Sequence, residues 1–453
     1  MRSDDFNKLT LSRYELRLKA RDACSLPAFL GSTLRGAFGH ALKETVCVMP
    51  HRNCERCLVA DRCIYPYLFE TPPPPDLALL RGQQRAPHPF ILSPPSPFAP
   101  AVTKDLARSA RSAAAPSSSA HSGSPGVSLA SALDESQASA TPARADVRVR
   151  PSSQSPGLST STNSRSAPPI LRKASDALPT LRRANGSSGV NGGSSENTFA
   201  SDRLRLAPGD ELMFGLTLIG RAIEYLPYVV YAVSEMARRG LGFERARFEL
   251  TEVYLIDKHG ERRLIYSGDS HRIAVPADCA ASLAELVQTR IERMTDGCAP
   301  TPIPQPLSPS LRLRFVTPTR IRVDGDLQAG MSFELLVRNL LRRVSLLCAV
   351  HGSAPLELDY RGLIELAASV GTVKSDLHWC DWDRYSNRQQ TKMTLGGFVG
   401  EIEYAGVVAQ EFLPLVAAGE LLRVGTGSSF GLGNYESRID DEVTHGSGAW
   451  TEP

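Results

Sequence analysis

The chain has 453 residues, 42% of them hydrophobic, and a formal net charge of +3, a length that accommodates two or three domains with ordinary cores. The opening MRSDDFNKLT holds no apolar run, and no stretch reaches the ~18–20 apolar residues of a membrane span; the composition argues against a leader or a membrane partner and predicts a soluble, cytoplasmic protein. Residues 72–201 carry 13 basic and 7 acidic side chains and the remainder 38 and 41, so the folded part is not globally basic and any nucleic-acid site is a local patch.

In chain order, LTLSRYELRLKA (9–20) alternates as a strand does, and LPAFLGSTLRGAFGHALKETV (26–46) reads as a loop and a helix. CVMPHRNCERCLVADRCIY (47–65) follows, with Cys47, Cys54, Cys57 and Cys63 spaced C-x6-C-x2-C-x5-C. Four thiolates so close in sequence can surround one tetrahedral ion. The expectation is a structural Zn2+ that holds an irregular loop beside the helix and does no chemistry. An iron–sulfur cluster is the alternative, ordinary thiols are the bland reading, and His51 is a substitute ligand. Cys24, Cys279, Cys298, Cys348 and Cys380 are scattered and read as incidental thiols.

Residues 72–201, from TPPPPDLALL to NGGSSENTFA, are dominated by Pro, Ser, Gly and Ala. Such a segment buries too little apolar surface to offset its ordering entropy, which predicts a disordered insertion inside a domain. Beyond it, DELMFGLTLIGRA (210–222) is a strand, and YLPYVVYAVSEMARRG (225–240) a helix closed by Gly240. RARFELTEVYLID and ERRLIYSG form a hairpin around Lys258-His259-Gly260.

A proline-rich linker precedes the second half, in which LRLRFVTPTRIRV is a strand and SFELLVRNLLRRVSLLCAVHG an amphipathic helix. SDLHWCDWDRYS and MTLGGFVGEIEYAG form a hairpin, EFLPLVAAGELLRVG a second helix, and SFGLGNYES a last strand. That order is βαββαβ, the ferredoxin-like pattern; the first half fits it less cleanly. The fold class expected is α+β, with two tandem ferredoxin-like domains. The first comprises 1–71 and 202–300, interrupted by the 72–201 insertion. A 301–310 linker, a second domain at 311–440 and a 441–453 tail complete the chain.

Two features suggest a ligand. GTGSSFGLGNYE (425–436) is bare enough for its backbone to approach an anion, with Gly425, Gly427, Ser428, Gly431 and Gly433 the candidate contacts; a mere tight connection explains it equally well. The hairpin places Trp379, Trp382 and Tyr385 among Arg384, Arg388 and Lys392, a mix that suits stacking on unpaired bases beside phosphates. Its rival is a pair of core tryptophans beside a solvated turn. Arg312, Arg314, Arg320 and Arg322 on the strand, with Arg338, Arg342 and Arg343 on the helix, would extend a basic track.

The runs DWDRYSNRQQTKMTLGGFVGEIEYAG and FLPLVAAGELLRVGTGSSFGLGNYE, with LRGAFGHALKETVC…CERCLVADRCIYPYLFE near the start, resemble the CRISPR-associated endoribonucleases of the RAMP superfamily, which cut the repeat RNA of precursor transcripts. Thr426, where many relatives have a basic residue, and the insertion are departures. The resemblance implies cleavage that needs no metal or other cofactor. The 2′-OH of the RNA attacks the adjacent phosphate, giving a 2′,3′-cyclic phosphate and a 5′-OH. It makes precursor crRNA the partner, with a CRISPR effector complex a further partner left open. His40 becomes the leading acid or base, with Lys43 one turn on, Arg35 one turn before and Tyr14 on the first strand as partners; His351 and His378 are held in reserve. The rival function is a non-catalytic RNA-binding subunit of the same build.

Overall fold

A computed structural model describes residues 2–49, 52–74, 85–96, 203–295, 310–386, 391–405 and 409–440. Among the described residues no helix is long and apolar enough to cross a membrane.

The first sheet is built around β1 (Thr10–Ala20), which buries Tyr14, Leu16, Leu18 and Ala20 on one face and turns Arg13, Glu15, Arg17 and Lys19 away. Its neighbours are β5 (Glu211–Ile219) and β6 (Phe248–Ile256), both antiparallel to it. β3 (Phe90–Ser93) extends the sheet beyond β5, and β7 (Arg262–Ser267) beyond β6. β2 (Cys24–Leu26) pairs with β4 (Leu204–Leu206) separately. Helices α1 (Gly31–Val46) and α2 (Leu226–Arg239) close the core over this sheet.

The boundaries expected for the insertion are wrong at its start. β3 lies within 72–201, and Phe90, Ile91 and Leu92 are buried. Three apolar residues and a serine between prolines are too short a signal to stand out from a Pro/Ser background, and the strand exists because β5 supplies its ladder. Residues 75–84 and 97–201 of the insertion lie outside the described residues, as do most of the 301–310 linker and the 441–453 tail.

The second sheet runs β13–β14–β10–β15, all antiparallel: β10 (Ser310–Thr319), β13 (Gly371–Ser386), β14 (Thr391–Ala405) and β15 (Tyr435–Asp440). α4 (Phe333–His351) and α6 (Ala409–Leu422) pack on it, and the short α5 (Tyr360–Ala368) lies against α4. Ser332 caps α4, its hydroxyl accepting from the Leu335 N–H at 3.2 Å.

The second core takes more of the chain than 311–440. α3 (Leu283–Thr295) buries Leu283, Leu286 and Val287 in it, joined there by Phe6, Leu9 and Leu11. Arg290 of α3 ion-pairs with Glu420 and donates to the Ser437 carbonyl at 3.0 Å. The domain boundary near residue 300 is therefore a boundary in sequence, not in packing.

Candidate functional site

α1 organises the first candidate site. It buries Leu34, Phe38, Ala41 and Leu42 at helical spacing, which leaves His40 outward and Arg35 and Lys43 on the flanks. Gly39 makes room for Phe69, whose ring would lie 2.7 Å from a Cβ there. The His40 side chain is 72% exposed, and its Nε2 is 3.4 Å from Glu44. Glu44 also pairs with Arg52, at 3.3 Å, and with Arg239 at the C-terminal end of α2. Partial burial first, then the charges of Arg239, Arg52 and Arg245, hold the His40 pKa below the usual histidine value. His40 is thus a neutral imidazole at pH 7 amid cations. From the α2–β6 turn next to Arg245, Phe243 projects with 100% exposure.

The other predicted partners of His40 point elsewhere. Lys43 lies over the Tyr65 ring, 4.8 Å from its centre. Tyr14 is 2% exposed, its hydroxyl accepts from Ser12 at 2.7 Å, and burial drives its pKa far up. It is a core residue on the buried face of β1, with almost no surface to offer a substrate, which corrects the expectation of an accessible partner for His40.

Arg35 turns toward the glycine-rich connection. Its Nε donates to Ser429 Oγ at 3.0 Å, and its guanidinium lies 4.5 Å from the Phe430 ring centre. A second nitrogen meets His88 Nε2 at 3.1 Å. A guanidinium only donates, so Nε2 accepts, and the His88 proton is on Nδ1, facing Thr71 Oγ1 at 2.9 Å. Thr71 in turn donates to the Tyr67 carbonyl at 3.1 Å. This chain fixes His88 as neutral, and burial with Arg35 nearby takes its pKa down to about 3.

The glycine-rich connection is largely interior: Gly431 and Gly433 are buried, Gly425 and Gly427 half-buried and Thr426 exposed. Ser428 and Ser429 are interior. A Cβ on Gly431 would run into Pro94, one on Gly433 into the Val424 carbonyl and one on Gly425 into that of Arg320; one on Gly427 would crowd the Leu432 side chain. Gly425, Gly427, Gly431 and Gly433 have positive φ. The backbone that approaches this segment is the protein's own, from α1, β3 and β10. At Ser428, Gly431 and Gly433 the segment is a seam within the protein, as the tight-connection reading expects, whereas Gly425 and Gly427 keep part of their surface open.

In the hairpin, Trp379 lies across Gly396 and donates to Asp381 at 3.0 Å. Trp382 points to the opposite side and meets Phe29 edge-on at 5.8 Å. The side chains of Arg384, Tyr385 and Lys392, and all of Arg388, lie outside the described residues. The basic track is largely neutralised: Arg312 pairs with Glu403 and Arg314 with Glu436, while Arg338 pairs with Glu334. Arg320 donates to Gly396 O at 2.6 Å, and Arg343 to Leu422 O at 3.1 Å. His351 is buried against the Pro87 carbonyl at 2.7 Å, with its pKa taken down to about 4 chiefly by burial; it is no reserve acid. His378 is exposed beside Asp376, at 3.8 Å.

Cys47, Cys54, Cys57 and Cys63 are free thiols that line one cleft, together with Lys43 and Tyr65. Among the described residues no group of three or more His, Cys, Asp or Glu is set at metal-binding geometry. His51 lies outside the described residues.

A family model described as an N-terminal domain matches residues 9–109 and 196–278, and the model for the CRISPR-associated endoribonuclease Cas6 matches residues 313–435. Its C-terminal part, residues 313–435, belongs to the Cas6 family of CRISPR-associated endoribonucleases. No curated protein matches it. Among solved structures, a Cas6 product complex is 14% identical, over 94% of this chain and 98% of that one, with a TM-score of 0.41. Thermus thermophilus Cas6 is 13% identical, over 95% and 98%, at 0.40. A Cas6-RT-Cas1–Cas2 complex is 10% identical, over 96% of this chain but 30% of that one, at 0.45. Arg52, Arg239, Arg245 and Glu44 are the site residues that the sequence reading missed. ARRGLGFER is visibly basic, but nothing local says that α2 ends beside His40. His88 was hidden by the Pro/Ser-rich background around it.

Proposed function

We propose that this protein is a metal-independent endoribonuclease of precursor CRISPR RNA, built from two ferredoxin-like modules. The observation that carries the reading is the neutral, exposed His40 amid Arg52, Arg239 and Arg245. In the reaction, His40 takes the proton of the 2′-OH and the 2′-oxygen bonds to phosphorus. The P–O5′ bond then breaks, and the departing 5′-oxygen takes a proton from water, leaving a 2′,3′-cyclic phosphate and a 5′-OH, while the imidazolium returns its proton to solvent. The arginines stabilise the charge that builds on the phosphorane oxygens. Arg35 holds the seam rather than the scissile phosphate, and Phe243 offers a face for an unpaired base beside the same arginines.

The test is cleavage of the cognate repeat RNA in EDTA, with the ends mapped. His40→Ala is expected to slow cleavage by about 10²–10⁴-fold while RNA affinity stays within about twofold. Parent-rate cleavage by the variant removes His40 from the chemistry. Protection of intact RNA by the wild-type protein would favour the binding-subunit reading instead.

A further inference from the structure

We infer that the loop between Cys47 and Cys63 is a tetrathiolate zinc site, ligated by Cys47, Cys54, Cys57 and Cys63, that fastens the C-terminal end of α1. The inference is independent of the proposed activity. Three observations meet here. The four sulfur-bearing side chains, from a span of seventeen residues, all line the same cleft. Their backbones stand at the ends of short elements: Cys47 caps α1 through its N–H to the Lys43 carbonyl at 2.9 Å. Cys54 and Cys57 bracket a single 3-10 turn closed by Cys57 N–H to Cys54 O at 3.2 Å, and Cys63 ends the next turn through its N–H to Ala60 O at 3.2 Å. Neither turn buries a residue, and Val48, Leu58 and Val59 are exposed.

The third point is energetic. An excursion of this length, with no core of its own and apolar side chains in water, does not recover its ordering entropy from packing. A structural ion supplies that free energy outright. Among the described residues the cleft lining holds four soft thiols and neither carboxylate nor imidazole, a set that selects a thiophilic ion over a hard one. Ligation draws the sulfurs inward from the open arrangement and releases the thiol protons to solvent. Lys43, on the cleft wall, belongs to the same helix as His40, so the site stiffens the helix end nearest that histidine.

The experiment is metal analysis of the full chain, purified without chelator. About one zinc per chain is expected. Replacement by Co2+ should give the intense visible bands of tetrahedral cobalt thiolate. Cys57→Ser should lose the metal, whereas Cys279→Ser, outside the loop, should keep it. If Cys57→Ser misfolds, a mercurial titration of the wild-type chain gives the answer: zinc should appear in step with four blocked thiols. Iron with acid-labile sulfide in place of zinc, retention by Cys57→Ser, or no metal after incubation with equimolar Zn2+ would each overturn the assignment.

Discussion

Gly31 and Phe430 meet back to back: a Cβ built on Gly31 would overlap the Phe430 carbonyl oxygen, and the Phe29 ring would lie 2.9 Å away. The first turn of α1 is thereby pressed onto the glycine-rich connection of the other module. Gly31→Ala should cost about 2–4 kcal/mol, because main chain rather than a flexible side chain must move. Gly36, on the same helix, has nothing within 4 Å of its virtual Cβ. Gly36→Ala should stabilise by about 0.5–1 kcal/mol. Urea midpoints of the two variants test the pair; a shift of the same sign in both would refute the seam.

The second module was readable because its strands alternate cleanly and its helices are long. In the first, β3 escaped notice: Phe90–Ser93 is a strand by virtue of β5, not of its own pattern. α3 escaped too, since a helix after a hairpin carries no sign of which core it joins. The glycines were legible as a demand for close approach, yet the sequence could not say what approaches. His40 was legible as a helix residue with suitable chemistry. Arg239 and Arg245 were not, since the whole insertion separates α1 from α2. Tyr14 was misread because chemistry was considered before burial.

His88 and His351 titrate at about 3 and about 4, below the unfolded value. A depressed folded pKa means that stability is fully present above ~6.5 and is lost as the pH falls through that value toward the folded one. Each histidine should remove about 2 kcal/mol between pH 7 and pH 5. For His88 the physical event is loss of the lone pair that accepts from Arg35. His88→Gln, which keeps an acceptor but does not titrate, should flatten the pH dependence of the urea midpoint over this range. An unchanged slope would show that His88 titrates normally in the folded protein.

The direction of the His40 shift can be measured without RNA. The imidazole should titrate below 6.5 by NMR, and Arg239→Gln should move it upward, because one cation is removed and Glu44 loses one of its two arginine partners. In cleavage assays the acidic limb of the rate profile should move the same way. A downward shift would show that Arg239 acts on His40 through something other than its charge.

Phe243 tests where the RNA lies. The turn that carries it is rigid: Leu241 and Ala246 exchange backbone hydrogen bonds at 2.8 and 3.1 Å, and Gly240 and Gly242 take positive φ. A fully exposed phenyl ring on such a turn gains nothing from the fold, so Phe243→Ala should leave stability within about 0.5 kcal/mol. If an unpaired base stacks on it, the same change should weaken RNA binding by about 1–3 kcal/mol. Arg245, the neighbour two residues on, contributes charge, so Arg245→Gln should weaken binding chiefly at low salt and reduce its salt dependence. The two effects separate stacking from charge at one turn. Affinity unchanged in both variants at fixed ionic strength would move the RNA path away from α2 and take the arginine-ringed face of His40 with it.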